Sequence, residues 1–259
     1  MQRLGRWFLG AVLVFLYTPI VVLMAMGFNE SPLYELPFKF STRWYSALMG
    51  NEVLLTASFN SIVLALITSV VATTLGTIAS IALSRRTFRG RSLLQLLLLP
   101  PIAIPWLITG TAMLIFFYWT GIGRGMHALI IGHVAMSIPY VVLVVGTGFR
   151  TIRTDLEEAA MSLGSTPIHA FVSVTLPLLF PSILGAALFA FAVSLDQFVI
   201  SYFLSTPGYT TLPVQIYAAI RKGFTPEINA ISTLLLLGSM TAILIFARFA
   251  KPGGSSDKC

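Results

Sequence analysis

The sequence predicts an all-α membrane protein of six spanning helices joined by short polar segments. Three observations carry that prediction. Hydrophobic residues make up 56% of the 259 and charged residues only 10%, whereas soluble domains hold about 25% charged residues. The apolar residues collect in runs that reach the roughly 20 residues a membrane-spanning helix needs. Within two runs small residues recur at every fourth position, the spacing that lets helix backbones approach closely in lipid. The net charge of +7 invites a nucleic-acid reading. The basic residues flank apolar runs, however, which favours membrane orientation over DNA contact. A single cysteine, Cys259, allows neither an internal disulfide framework nor a cysteine metal site.

The first span follows Arg3 and Arg6 and runs uncharged from Trp7 to Phe28 past Pro19. Such a run suffices to cross a bilayer, and no A-x-A site marks it as a cleaved signal. Asn29 to Glu52 is a polar segment on the outer side, with a short interfacial helix beginning near Ser41 and carrying Trp44 and Tyr45. The second span, Ala57 to Ser84, carries Ser61, Ala65, Ser69, Thr73 and Thr77 at four-residue steps, and Ala72, Gly76 and Ser80 beside them. That places it inside the bundle. A loop with Arg85, Arg86, Arg89 and Arg91 follows.

The third span, Leu93 to Trp119, is broken by Pro100, Pro101 and Pro105. Freed carbonyls are tolerable there only against protein or a water-filled path. The fourth runs from Met126 to Phe149 with Pro139 inside. The fifth starts at Pro181 with the stripe Ser182, Ala186, Ala190 and Ser194. A turn at Pro207-Gly208 and a semi-apolar stretch from Thr211 to Ile220 lead to the sixth span, capped by Thr225-Pro226-Glu227 and ending near Ala247. Residues 1–56 thus form a first helix with its external segment, 57–250 a five-helix core, and 251–259 a polar tail.

Between the fourth and fifth spans lies a polar loop, 154–177. Thr154 and Glu157 have the spacing of a capping box that starts a helix. Leu156, Ala159, Ala160 and Leu163 share one face, and Gly164 stops the helix, since glycine enters the left-handed C-cap conformation without steric cost. Thr166 and Pro167 begin a second helix as N-cap and first residue. Its face is Ile168, Phe171, Val172 and Thr175, and Pro177 is expected to end it. Eleven of the 16 Lys and Arg residues fall on the side shared by both termini and this loop. The positive-inside rule places that side in the cytoplasm.

Glu158-Ala159-Ala160, then Gly164 after three residues, then Val174, Leu176 and Pro177, resembles the EAA loop of ABC importer permeases, with Val174 where isoleucine is usual. Thr42-Arg43-Trp44-Tyr45-Ser46, Ser194 to Ser201, Pro207 to Pro213 and Thr225 to Ala230 resemble the polyamine/opine/phosphonate branch, most of all its spermidine/putrescine members. Polyamine members often carry an acidic residue after the proline near the start of the third span, where this chain has Pro101. The resemblance implies a type I importer permease in the bacterial inner membrane whose loop is a coupling helix gripped by an ATPase. The ATPase-coupling residues would be Glu158, Ala159, Ala160, Gly164, Thr166, Pro167, His169 and Pro177. The partners it implies are an ABC ATPase dimer, a second homologous permease and a periplasmic solute-binding protein. No cofactor is expected on this chain, because it has no GxxxxGK[ST] loop to hold ATP, which the ATPase subunits would hydrolyse.

Asp196 is the only formally charged residue between Glu158 and Arg221. Counted from Pro181 it lies about 22 Å along its helix, in the outer half of a core about 30 Å thick. A carboxylate there faces a cavity or a partner. The candidate substrate path is therefore Asp196 with Ser194, Trp44, Trp106 and Tyr140, where an amine would suit the lone carboxylate and the rings could add cation–π contacts. Such rings, like Trp119 and Tyr202, more often anchor or pack the bundle. His127 and His133 lack metal-site spacing and read as satisfied membrane histidines. An intramembrane enzyme would need paired catalytic groups that the sequence does not contain. A proton-coupled secondary transporter using Asp196 is the nearer rival, and against it stand the EAA loop and the want of an inverted repeat. Opines and phosphonates remain alternative cargoes. Topology is directly testable: Ser165→Cys should react with membrane-impermeant thiol reagents only from the cytoplasmic side and Ser31→Cys only from outside, and equal external labelling of both would refute the span order.

Overall fold

The computed structural model describes residues 2–32, 35–85, 88–98, 100–223 and 226–249, with side chains left aside for 2–4, 239 and 242–249. All of its regular elements there are helical. In chain order they are α1 (Gln2–Met26), α2 (Arg43–Met49), α3 (Glu52–Arg85), α4 (Arg91–Leu98), α5 (Pro100–Ala103), α6 (Trp106–Trp119), α7 (Met126–Thr151), α8 (Asp155–Ser162), α9 (Pro167–Ala170), a π-turn (Phe171–Thr175), α10 (Leu176–Asp196), α11 (Phe198–Leu204), α12 (Leu212–Lys222) and α13 (Glu227–Phe249). Among the described residues four helices are long and apolar enough to cross a membrane, or five if a bent pair counts as one span. That pair is Arg91–Ala103 with Trp106–Trp119, turned by 113° where Pro105 precedes α6 with an extended backbone. The expected break of the third span is thus a sharp corner. Thr225, expected as the cap of the last helix, lies outside the described residues.

The chain forms two compact units, one from residues 1–56 with 215–259 and the other from 57–214. In the first, α1 presents its apolar residues outward, with Trp7, Phe8 and Phe15 all more than 70% exposed, as a helix facing lipid does. The 27–42 segment is closed by Asn29, whose carboxamide donates to the Glu35 carbonyl at 3.1 Å and accepts from the Lys39 N–H at 3.1 Å. Helix α2 buries Trp44 and Leu48 within this unit.

In the second unit the small-residue stripes face inward. Ser61, Ala65, Ser69, Ala72, Thr73 and Ser80 of α3 are buried, as are Ala186, Ala190 and Ser194 of α10. The Ser69 hydroxyl donates to the Ala187 carbonyl at 2.6 Å. Two apolar clusters fill the remaining space, one around Leu64, Leu129, Met136 and Ile200, the other around Val141, Val145 and Leu179. The fifth span starts earlier than expected, because one continuous helical run extends from Pro167 to Asp196. Pro177 does not end it. Proline is tolerated in a helix's first turn, where its missing N–H is not needed, and Pro177 sits there in α10. The π-turn ahead of it re-spaces the ladder, with the Leu176 N–H reaching back to the Phe171 carbonyl.

Glycine marks the closest approaches. A Cβ on Gly76 would lie 2.6 Å from Val141 Cγ1, and one on Gly148 would run into the Ser182 side chain, whereas one on Gly146 would meet nothing nearer than Ser80 Oγ at 3.5 Å. Alanine is the better helix former by about 1 kcal/mol. Gly76→Ala and Gly148→Ala should nevertheless lower thermal stability of the detergent-purified protein, by about 1–3 kcal/mol each through overpacking, while Gly146→Ala should leave the unfolding temperature unchanged or raised.

Candidate functional site

Helix α8 starts where the sequence places it, but the capping box does not form. Thr154 is already helical, with φ −66° and ψ −29°, and its side chain caps nothing. The competing interaction is long-range. Arg85, the last residue of α3, holds the Glu157 carboxylate with both terminal nitrogens, Nη1 donating to Oε1 at 2.7 Å and Nη2 to Oε2. The Thr175 hydroxyl accepts from Arg85 Nη2 at 3.1 Å and donates to Glu157 Oε2 at 2.8 Å. The Arg85 guanidinium holds the Glu157 carboxyl below its ordinary value, against the opposing effect of burial, with Thr175 adding to the lowering. Its contribution is therefore full above the ordinary glutamate range and is lost only as pH falls through the lowered value.

The end of α8 and the turn beyond it match expectation. Gly164 has φ +97°, its N–H donates to the Met161 carbonyl at 3.0 Å, and the Ser165 N–H donates to the Ala160 carbonyl at 3.1 Å. These are the paired bonds of a Schellman C-cap. Thr166 accepts from the His169 N–H at 3.3 Å, with Pro167 at the first helical position. Glu158, Ala159, Thr166, Pro167, His169 and Pro177 are exposed and Ala160 is partly so. The apolar faces are only partly packed: Phe171 is half-buried and Thr175 buried, but Leu163 is 90% and Ile168 79% exposed, and α8 has no fully buried side chain. Exposed apolar residues grouped on a polar loop mark a protein interaction site. Beside the loop lies a cleft of about 970 Å³ whose lining includes Arg85, Arg91, Arg150 and Glu157 at polar positions and Ile102 and Leu143 at apolar ones.

The five residues expected along a substrate path have different local surroundings. Asp196 is the last residue of α10 and is exposed. The chain breaks after it at Gln197, whose ψ is +94°. Trp106 opens α6 with 37% exposure. Tyr140 is half-buried, its ring 5.4 Å from that of Phe189. Ser194 is buried and lies 2.8 Å from His133 Nδ1, whose Nε2 is 3.0 Å from the Ser201 hydroxyl. His133 is thus a satisfied histidine joining α10 to α11 across the break, and Ser194 belongs to that join. His127 is likewise satisfied by the Ile122 carbonyl at 2.7 Å. Trp44 belongs to the other unit, where its indole N–H donates to the Asn29 carbonyl at 2.7 Å and the Arg43 guanidinium lies over its ring.

Sequence reasoning missed two residues, Arg85 and Gln197. Arg85 was one charge among four in a basic loop, and its partner lies 72 residues away, beyond any local pattern. Gln197 carries no helix-breaking signal, yet it is buried with both amide atoms unpartnered.

The comparison that decides the family is a match over residues 72–251 to the binding-protein-dependent transport system inner membrane component. The chain belongs to this family. It is a transporter's membrane permease and not an enzyme, and it is homologous to polyamine permeases. The putrescine transport system permease PotI of Escherichia coli K12 is 38% identical over 230 residues, 86% of this permease and 82% of that one. The spermidine/putrescine permease PotC of the same strain is 31% identical over 253 residues, 96% of each. In fold the permease is similar to a bacterial ABC transporter that imports alginate, with TM-score 0.68 at 16% identity over 98% of this chain and 96% of that one. It is also similar to the MetNI methionine transporter, with TM-score 0.65 at 18% identity over 77% and 95% of the two chains. The fold is that of type I importer permeases.

Gly164 gives this permease its sharpest local test. A Cβ there would meet nothing within 4 Å, so any loss comes from backbone strain and not from a clash. Gly164→Val should cost roughly 1–3 kcal/mol in that conformation and reduce solute uptake strongly at normal membrane abundance. Gly164→Asn, which tolerates positive φ, should retain more uptake, and full uptake with valine would refute the role of the joint.

Proposed function

We propose that this permease carries a small polyamine of the putrescine or spermidine class through the inner membrane, delivered by a periplasmic binding protein and driven by a separate ABC ATPase. The observation that carries the cargo is Asp196, a lone carboxylate on a spanning helix, exposed at the end of α10 and set beside a helix break. An intramembrane carboxylate is costly unless it faces a partner or a polar path, and an aliphatic amine is the complementary charge. The names of the two Escherichia coli relatives, both polyamine permeases, support the same cargo. Trp106, beside Pro105 at the corner of the bent pair, would add a cation–π face.

The 154–177 loop would be the coupling helix. Its exposed Leu163 and Ile168, with Glu158, Ala159 and His169, would fit a groove of one subunit of an ATPase dimer, and Gly164 and Thr166 would hold the angle between its two halves. ATP is hydrolysed on that partner, and this chain binds no cofactor. A second homologous permease would complete the path, six spans would put both termini in the cytoplasm, and the binding protein would approach from the periplasm. ATPase closure would press the loop and swing the permease pair between inward-open and outward-open states.

Asp196→Asn keeps the size of the side chain and removes its charge. In proteoliposomes holding the whole complex, polyamine uptake should fall by tenfold or more, consistent with losing a charge-assisted hydrogen bond worth roughly 1.5–3 kcal/mol, while the complex assembles and basal ATP hydrolysis persists. Loss of assembly would instead make Asp196 one half of an ion pair between permeases. Unchanged uptake would refute both roles and point to a neutral or anionic cargo.

A further inference from the structure

We propose that Arg85 is the positioning residue that ties the 154–177 loop to the spanning bundle, its ion pair with Glu157 carrying displacement of the loop into α3. The proposal rests on reading the loop as the ATPase contact. Arg85 is where elements distant in sequence meet. Its Nη1 and Nη2 grip Glu157 of α8, Nη2 also donates to Thr175 of the π-turn, and its Cζ lies 4.7 Å from the Phe171 ring and 5.8 Å from the Phe149 ring near the end of α7. Thr175 closes the group by donating to Glu157. The other ion pair among the described residues, Arg153 with Asp155, joins neighbours two apart whose side chains are 79% and 54% exposed, and it links no separate elements.

The chemistry suits a joint. A bidentate guanidinium–carboxylate pair fixes orientation as well as distance, which the point charge of a lysine does not. Helix α8 has no fully buried side chain, so Arg85 is its specific tie to α3, while the second half of the loop is joined to α10 by the continuous helical run. Successive residues of a helix point about 100° apart. Glu157 is accordingly turned toward Arg85 while Glu158 stays exposed and free to meet a partner.

The test uses the whole complex in proteoliposomes, measuring polyamine uptake and ATP hydrolysis together, with disulfide capture of the ATPase through Leu163→Cys. Arg85→Gln should lower the solute moved per ATP by about tenfold, the factor expected for losing a hydrogen bond to a charged group, while capture and hydrolysis continue. Arg85→Lys should fall between, and the exchange Arg85→Glu with Glu157→Arg should restore most of the ratio. An unchanged ratio in Arg85→Gln, or an exchange that assembles without rescue, overturns the proposal. If Arg85→Gln does not accumulate, Thr175→Val keeps the ion pair and removes the two hydrogen bonds by which the Thr175 hydroxyl accepts from Arg85 and donates to Glu157. It should lower the ratio by a smaller factor, and no change there also overturns the proposal. Failure of Leu163→Cys to capture the ATPase when Arg85 is intact refutes the loop reading itself, and with it the proposal, in a way the uptake ratio alone does not.

Discussion

Lipid supplies no hydrophobic force to push one spanning helix against another, so close approach must hold this bundle together. The second unit depends on that constraint. Ala72, Gly76 and Ser80 let α3 lie against Val141 of α7, and Gly148 admits Ser182 of α10. Each contact brings backbones near enough for dispersion, and for bonds such as Ser69 to the Ala187 carbonyl, to replace what water would provide in a soluble core. Larger residues at Gly76 or Gly148 would meet Val141 or Ser182 and force the helices apart locally.

A bundle held this way can tolerate a broken helix where the broken ends are pinned. Between α10 and α11 the pin is His133, with a serine on either side of the break at 2.8 and 3.0 Å. One imidazole therefore stabilises an interruption that places Asp196 at a helix end. Two residues apart, Ser194 and Asp196 lie on opposite sides of the same helix, Ser194 buried and Asp196 exposed.

What was legible in the sequence was periodic or local. The four-residue stripes announced their buried faces because burial in lipid selects small residues at that spacing. Gly164 and Thr166-Pro167 announced the two ends of a turn because cap chemistry resides in single residues. Glu157 misled for the opposite reason, since a local capping pattern lost to a guanidinium 72 residues away, and charge pairs at that distance leave no local trace. Pro177 misled because proline both stops helices and begins them, and only the π-turn before it distinguishes the two. The hydrogen bonds of Trp44 with Asn29 and of Ser194 with His133 depend on the folded chain, which residue type alone does not reveal. The break at Gln197 is set by its surroundings and not by its own propensity.

The π-turn at Phe171–Thr175 also sets an angular phase. A wider turn places an extra residue in the helix, and one residue corresponds to about 100° of rotation. Through the 30 residues from Pro167 to Asp196, the direction in which Ile168 leaves the loop and the direction in which Ser182, Ala186 and Ala190 enter the bundle are therefore offset by that wide turn. The widened turn thus fixes the rotation of the packed face of α10 relative to the exposed Ile168.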